Sequence, residues 1–458
     1  MTDFAGSLHL VRDYYNTGAT LPYPFRKKQL LLLKNALKKY DDAINEALYT
    51  DLKKSKEEVW ATETGLLISE INHALSYLKE WMKPEKTGTD LITFPSSAKI
   101  YKEPLGVVLI ISPWNFPLQL LLIPLIGAIA AGNCVVLKPS EMAPATEEIV
   151  TKIIEGIFPG NYIKIITGNG AAIVPALMKQ FRFDHIFFTG STSVGKEIYK
   201  LAANDLIPVT LELGGKSPCI VYDDANIKVA ARRIVLGKFF NVGQTCIAPD
   251  YVLVHQNAND TFLNEIRHCI REFYSDDASA SYSYGKIINE KRFDTLISYI
   301  QPENIFYGGR NNREKLYIEP TVLTNISVED NIMKEEVFGP ILPVLSFATT
   351  GEAMNIVLRN EKPLSLYLFT SGKKVEKEWI RKIQFGGGCI NNTVWHFTNK
   401  RMPFGGIGNS GIGAYHGKNT FDVFSHAKPV LKTSAAIDIP VKYPPFKNKL
   451  GLFKKFIR

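Results

Sequence analysis

Paired cysteines are what this chain most plainly lacks. Cys134, Cys219, Cys246, Cys269 and Cys389 are five in 458 residues, an odd number with no Cys-x-x-Cys spacing and no paired histidines beside them. This speaks against a disulfide framework and a zinc site, so no metal is expected, and it points to a reducing, cytoplasmic compartment. Long hydrophobic runs are missing too. The longest, Leu118 to Ala131, carries Pro124 and falls short of the roughly twenty residues a spanning helix needs, so it reads as a buried helix. Met1 to Asn16 has no basic stretch followed by an apolar one, and a secretory signal is not expected. Internal repeats and low-complexity stretches are absent. The net charge of +9 is scattered among acids rather than gathered in blocks, which argues against nucleic acid and favours anionic ligands or lipid headgroups only weakly.

What is present is the composition of a soluble globular protein, 45% hydrophobic and 22% charged, in a chain longer than one core supports. Two large domains and a small extra element are expected. From Arg26 to Leu48, apolar residues at Leu30, Leu33, Leu37, Tyr40, Ile44 and Leu48 recur at helical spacing, and a second such stretch runs from Glu57 to Met82. Lys83 to Lys102 breaks the pattern with Pro84, Gly88 and Pro95, then alternates like an extended strand. Apolar strands follow at Val107 to Ile111, Cys134 to Leu137, Ile163 to Ile166, His185 to Phe188 and Val209 to Leu213, with helices between them. β-Branched runs alternating with helices imply a parallel sheet covered on both faces, which binds ligands beyond the carboxyl ends of its strands. Asn115, Lys138 and Gly190 all fall on that rim. After Gly214 the alternation restarts with Pro218 to Val221, Tyr251 to Val254 and Ile341 to Phe347, a second α/β unit. Phe421 to Lys432 reads as extended, and the tail from Tyr443 mixes lysines with Leu450, Leu452, Phe453, Phe456 and Ile457. That tail suits either a solvated terminus or weak contact with a membrane surface.

Two stretches carry the chemistry. Asn241-Val242-Gly243-Gln244-Thr245-Cys246 places a thiol in a polar turn between a helix, Ile227 to Phe240, and a strand, where a small molecule can reach it. Leu211-Glu212-Leu213-Gly214-Gly215-Lys216 sets a carboxylate inside an apolar strand, where an unpaired charge is costly. Taken singly, each has a plainer reading: Cys246 as core, Glu212 paired with a lysine, Asn115 as a helix-capping turn residue, and Glu336 as a solvated charge. Gly190-Ser191-Thr192-Ser193-Val194-Gly195 follows a strand and opens a helix, so its amides can meet a pyrophosphate, although it lacks the usual third-position glycine. Trp60, Trp114, Phe116, Trp395 and Phe397 serve either core packing or the lining of a substrate tunnel.

Together, these two segments resemble the aldehyde dehydrogenase superfamily. Pro113-Trp114-Asn115-Phe116-Pro117, Lys138-Pro139-Ser140-Glu141, Phe188-Thr189-Gly190-Ser191-Thr192, Glu335-Glu336-Val337-Phe338-Gly339-Pro340 and Pro403-Phe404-Gly405-Gly406 match family motifs in family order over nearly the whole chain. The Gly-Gln-Thr-Cys-Ile-Ala-Pro-Asp-Tyr form and Phe404 to His416 resemble the class 3 branch, which acts on fatty and aromatic aldehydes. The resemblance implies an α/β fold of two Rossmann-like open parallel-sheet domains. Residues 1–85 and 104–212 would bind cofactor, 213–412 would carry catalysis, 86–103 and 413–435 would form an extended oligomerisation arm, and 436–458 the tail. It implies Cys246 as nucleophile, Glu212 as general base, and the Asn115 amide with the Cys246 backbone N–H as oxyanion donors. NAD is the implied cofactor, with NADP also possible. Gly190, Ser191, Thr192 and Gly195 would hold its pyrophosphate, Lys138 and Glu141 its adenosine ribose, Glu336 its nicotinamide ribose, and Phe338 would pack near the nicotinamide. The implied substrate is an apolar aldehyde, oxidised to the free acid by a homodimer. A semialdehyde or coenzyme A-acylating enzyme, and a catalytically silent binding or structural protein on the same fold, are the competing expectations.

Overall fold

A computed structural model describes residues 3–456; Met1 and Thr2 of the N-terminal segment and Ile457 and Arg458 of the tail lie outside the described residues. The expected β-branched runs form a six-stranded sheet in the order Gly411–Ile412, Val209–Glu212, His185–Thr189, Val107–Ile111, Cys134–Lys138, Ile163–Ile165. All neighbours are parallel except the edge strand Gly411–Ile412, which pairs antiparallel with Val209–Glu212. Val107–Ile111 starts in the middle. The chain then runs outward to Ile163–Ile165 and returns to place His185–Thr189 on the other side. A crevice opens where the winding reverses, and the loops there are those that follow Ile111 and Thr189. Every residue of the helix Gln119–Ala131 is buried, as its unbroken apolar run requires.

The second unit is a seven-stranded sheet, in the order Ile305–Tyr307, Thr321–Leu323, Ile341–Phe347, Tyr251–His255, Pro218–Val221, Ser365–Phe369, Gly387–Ile390. It is parallel but for Ile305–Tyr307. Because Gly411–Ile412 returns to pair with Leu211 and Glu212, the end of this unit is stitched to the strand that carries Glu212. A third, small sheet pairs Ser96–Pro104 antiparallel with Ser425–Thr433 along nine residues, and Glu85–Thr87 flanks it. Ser425–Thr433 is one edge of that sheet and is largely exposed.

Three elements depart from the sequence expectation. The stretch Arg26 to Leu48 is two helices, Tyr23–Lys39 and Asp41–Leu52, parted at Tyr40. Lys38 and Lys39 close the first and Asp41 and Asp42 open the second, each suited to the dipole end it faces. The stretch Glu57 to Met82 contains a π-helical turn, Trp60–Thr64, between Lys56–Val59 and Gly65–Trp81. Phe421 is helical, in Lys418–Val423, and extension begins only at Ser425. That short helix seats Thr420 in a notch on Gly127, where an added Cβ would lie 2.2 Å from the Thr420 methyl group. In the tail, Leu450–Phe456 is a short helix with Leu450 and Leu452 exposed.

Candidate active site

The turn before Cys246 is strained. Asn241, Val242 and Gly243 all have left-handed backbones, with φ of 48°, 55° and 72°. For a β-branched valine that conformation is a genuine outlier and persists only where its surroundings over-determine it. They do so here. The Asn241 backbone N–H donates to Glu58 Oε1 at 2.7 Å, and its side-chain Nδ2 donates to the carbonyls of Asn115 at 2.8 Å and Gln244 at 3.1 Å. Gln244 Nε2 donates to the Lys286 carbonyl at 3.0 Å, and Gln244 Oε1 accepts from Ile288 N at 3.0 Å. A Cβ on Gly243 would sit 2.3 Å from the Gly339 carbonyl oxygen, so glycine is needed for space as well as for φ.

The three residues expected to do chemistry come together from separate parts of the chain. Asn115 is buried beyond the strand Val107–Ile111, and its Nδ2 donates to the Gln244 carbonyl at 3.1 Å, two residues before Cys246. A carboxamide has two N–H groups, so a second donor remains for a ligand oxygen. Glu212 ends its strand, buried, with neither carboxylate oxygen bonded to any group among the described residues. Burial lifts its carboxyl well above the usual carboxylate range. Burial also raises the Cys246 thiol, and the charges of Glu336 and Glu212 push it in the same direction, while the backbone N–H groups of Cys246 and Ile247 pull it back. In both groups burial therefore favours the uncharged form.

On the rim beyond Thr189, Ser191 caps the helix Thr192–Ala203 by accepting from Val194 N, and Val194 at the helix start is exposed. A Cβ on Gly195 would meet Leu213 Cδ2 at 2.5 Å, so this glycine lets the helix pack against the strand end. Thr192 Oγ1 donates to the Asn409 carbonyl at 3.2 Å, and Gly190 N donates to the Glu212 carbonyl at 3.0 Å. Lys138 is buried and donates to Glu141 Oε2 at 3.1 Å, while Glu141 Oε1 accepts from Gly170 N at 2.8 Å. These bonds hold Glu141 below the usual carboxylate range against the upward push of burial. Glu336 lies over the glycine pair: a Cβ on Gly214 would fall 2.1 Å from its Oε2. Burial and Asp250 raise its carboxyl to about 8. Its loop is fixed by the buried Lys216–Asp250 ion pair, since Lys216 Nζ also donates to the carbonyls of Ile332 at 2.9 Å and Glu335 at 2.8 Å. An open helix N-terminus, a glycine cradle under a carboxylate and a Thr189 hydroxyl without a partner among the described residues suit a dinucleotide at this rim.

An apolar cavity ends on Cys246. It is lined by Thr62, Phe116, Gln119, Leu120, Phe240, Thr245, Ile247, Phe397, Phe404, Tyr415 and His416, with no lysine, arginine or carboxylate among the described lining. Of the five aromatic side chains expected around the substrate, Phe116 and Phe397 are there. Trp114 instead packs edge-to-face on Phe338, with ring centroids 5.5 Å apart. Trp60 and Trp395 lie outside the cavity, 56% and 48% exposed, because each opens a tight turn that directs it to the surface. His416, buried against Phe404 and Tyr415, is held neutral, its pKa lowered to about 3 by burial. Thr62 and the buried pair Lys54–Glu63 behind it were not expected from sequence. The available signal was Glu63, which continues the apolar stripe of Val59, Leu67 and Ile71 at helical spacing.

Residues 12–430 match the family model described as the aldehyde dehydrogenase family. The chain belongs to the aldehyde dehydrogenase family. Among curated relatives, it is 45% identical over 449 residues to the 4,4'-diaponeurosporen-aldehyde dehydrogenase of Staphylococcus aureus, covering 98% of this chain and 97% of that one. It is 41% identical to the rat (Rattus norvegicus) aldehyde dehydrogenase family 3 member B1, covering 98% and 96%, so its relatives include the class 3 branch. Among solved structures, a substrate-bound Staphylococcus aureus AldH superposes with a TM-score of 0.98 at 44% identity, covering all of both chains. An indole-3-acetaldehyde dehydrogenase complexed with NAD+ gives 0.85 at 26%, covering 93% of this chain and 88% of that one. A glyceraldehyde-3-phosphate dehydrogenase of Methanocaldococcus jannaschii complexed with NADP gives 0.83 at 25%, covering 94% of each. The two Rossmann-like units and the enzymatic class expected from sequence are those of this family.

Proposed function

We propose that this protein oxidises apolar aldehydes, aromatic or of medium to long chain, to the free carboxylic acid with NAD, NADP serving in its place. The observation that carries this reading is the uncharged, aromatic-walled cavity ending on Cys246 beside the unpartnered carboxyl of Glu212. Glu212, as carboxylate, takes the thiol proton, and the Cys246 sulfur adds to the aldehyde carbon to give a thiohemiacetal whose oxyanion is held by Asn115 Nδ2 and the Cys246 backbone N–H. Gly190, Ser191, Thr192 and Gly195 at the helix start, with Lys138, Glu141, Glu336 and Phe338, would hold the cofactor. When bound, NAD(P) would supply the acceptor for the hydride that leaves the tetrahedral carbon, which becomes a thioester. Glu212, returned to the carboxylate by losing its proton to solvent, then takes a proton from water as the water attacks that thioester, and collapse expels the Cys246 thiolate and the acid.

The absence of cationic side chains from the cavity lining favours this over a semialdehyde substrate, and the Glu212 carboxylate favours hydrolysis over transfer to coenzyme A. The same reading takes residues 1–85 and 104–212 as the cofactor domain, 213–412 as the catalytic domain and the exposed strand Ser425–Thr433 as part of an arm joining two subunits. The exposed Leu450 and Leu452, beside Lys449, Lys454 and Lys455, support weak contact of the tail with a membrane surface, and five free thiols support a cytoplasmic location. A panel of hexanal, benzaldehyde and succinic semialdehyde, run with each cofactor and with and without coenzyme A, tests the central reading. Hexanal or benzaldehyde should give the highest kcat/KM, with acid formed without coenzyme A and no turnover by Cys246→Ala. A higher kcat/KM for the semialdehyde, a requirement for coenzyme A, or an active Cys246→Ala would overturn it.

A further inference from the structure

Behind the cavity lies an ion pair sealed from solvent: Lys54 Nζ and Glu63 Oε1 are 2.8 Å apart, and both side chains are 0% exposed. Burying two charges is seldom worth its desolvation cost for stability alone unless every remaining hydrogen-bonding site is used. Here each is. Glu63 Oε2 accepts from Leu118 N at 3.2 Å and Gln119 N at 2.8 Å, the first amides of the buried helix Gln119–Ala131. Lys54 Nζ donates to the Asn115 carbonyl at 3.0 Å and stands 4.1 Å from the centroid of the Phe116 ring, a cavity wall. The π-helical turn Trp60–Thr64 aims Glu63 inward while Thr62 enters the cavity lining, and such turns recur at functional sites. Gly65 permits it, since a Cβ there would lie 2.4 Å from the Trp60 carbonyl. The Asn115 carbonyl is thus gripped from two sides, by Lys54 and by Asn241 Nδ2, while its own Nδ2 is tied to Gln244.

We propose that Lys54, fixed by Glu63, is a positioning residue that sets the carboxamide of Asn115 against the reacting carbonyl oxygen at Cys246. This rests on the reading of Asn115 as an oxyanion donor. An amide that must meet a transient oxyanion loses its effect when displaced by an ångström, whereas substrate held by the apolar walls is bound as before. Lys54 therefore acts on kcat and leaves KM alone.

The test is a cycle of purified full-length variants with hexanal and saturating NAD: Lys54→Met/Glu63→Gln, Asn115→Ala, and the two combined. The introduced glutamine keeps an acceptor for the amides of Leu118 and Gln119, and the introduced methionine keeps most of the lysine's volume. The pair variant should lose about 10-fold to 100-fold in kcat with KM for hexanal within about 2-fold, and its rate of Cys246 alkylation by iodoacetamide should match the parent. Asn115→Ala should lose about 100-fold or more, and adding the pair substitution should cost nothing further. If Asn115→Ala is slow and the pair substitution multiplies the loss, or if the pair variant keeps its full kcat, Lys54 does not work through Asn115 and the inference falls. If Asn115→Ala keeps full activity, the oxyanion reading falls, and the inference with it. Should the pair variant not fold, Glu63→Gln alone must show the same non-additivity with Asn115→Ala, in smaller measure.

Discussion

A carboxyl group taken out of water holds its proton above the usual carboxylate range, and two do so near Cys246: Glu212, without a partner among the described residues, and Glu336, bonded to the backbone of Gly215. Glu212 is raised by burial, and Glu336 by burial and by Asp250, the latter to about 8. In the unfolded chain both titrate at about 4.3. Between there and pH about 8 folded Glu336 holds a proton that the unfolded chain has released, and Glu212, shifted in the same direction, adds to the effect, so stability falls as pH rises through that window. Glu212→Gln and Glu336→Gln remove the effect. Each should raise Tm relative to the parent by an amount that grows from pH 5 to pH 8, and scanning calorimetry giving parallel Tm curves would contradict it. Glu336 also opposes the Cys246 thiolate, but only once charged. Glu336→Gln should therefore speed alkylation of Cys246 above pH about 8 and leave it unchanged at pH 6; a rate altered equally at both pH values would remove Glu336 from the thiol's surroundings. For Asn115→Ala, loss of one oxyanion donor should lower kcat by about 10²-fold to 10³-fold with hexanal KM little changed, measured by cofactor reduction.

At the scale of elements, the strained turn Asn241-Val242-Gly243 is where local sequence and tertiary structure disagree most. Gly243→Ala would force a Cβ against the Gly339 carbonyl at φ +72°. It should lower Tm, at a cost of about 1–2 kcal/mol or more, and reduce kcat at least about 10-fold by shifting Cys246. Gly156→Ala, in the helix Pro144–Ile157 with open space around it, is the matching control and should be neutral or stabilising. Unchanged activity in Gly243→Ala would mean the turn does not set the thiol. The strands Val107–Ile111 and His185–Thr189 were legible because sheets buried on both faces write unbroken β-branched runs. The thiol, amide and carboxylate were legible because their motifs are local. The π turn was not, since one extra residue slips the helical phase that periodicity relies on. Nor was Lys54, whose partners Glu63 and Asn115 are 9 and 61 residues away, a pairing only the folded chain decides. Trp60, Trp114 and Trp395 misled for the converse reason: adjacency to a motif in sequence does not say which way a side chain leaves its turn.

For the whole molecule, the site exists because two sheets meet. The six-stranded sheet brings Asn115 and Glu212, the seven-stranded unit brings Cys246 and Glu336, and the return strand Gly411–Ile412 holds the second against the first. The free edge of Ser425–Thr433 belongs to the proposed subunit contact, so light scattering should read about twice the 51.3 kDa chain mass, and a monomer mass would remove the arm from that role. The account stands or falls on the joining of Cys246 to Glu212 in one reaction. Mixed with NAD and hexanal, Glu212→Gln should gain the mass of one hexanoyl group, found on the peptide carrying Cys246 and released by hydroxylamine, while the parent forms hexanoate without accumulating it. An unmodified Cys246 in a Glu212→Gln enzyme that makes hexanoate at the parental rate, or an acyl group on any other residue, would contradict the account.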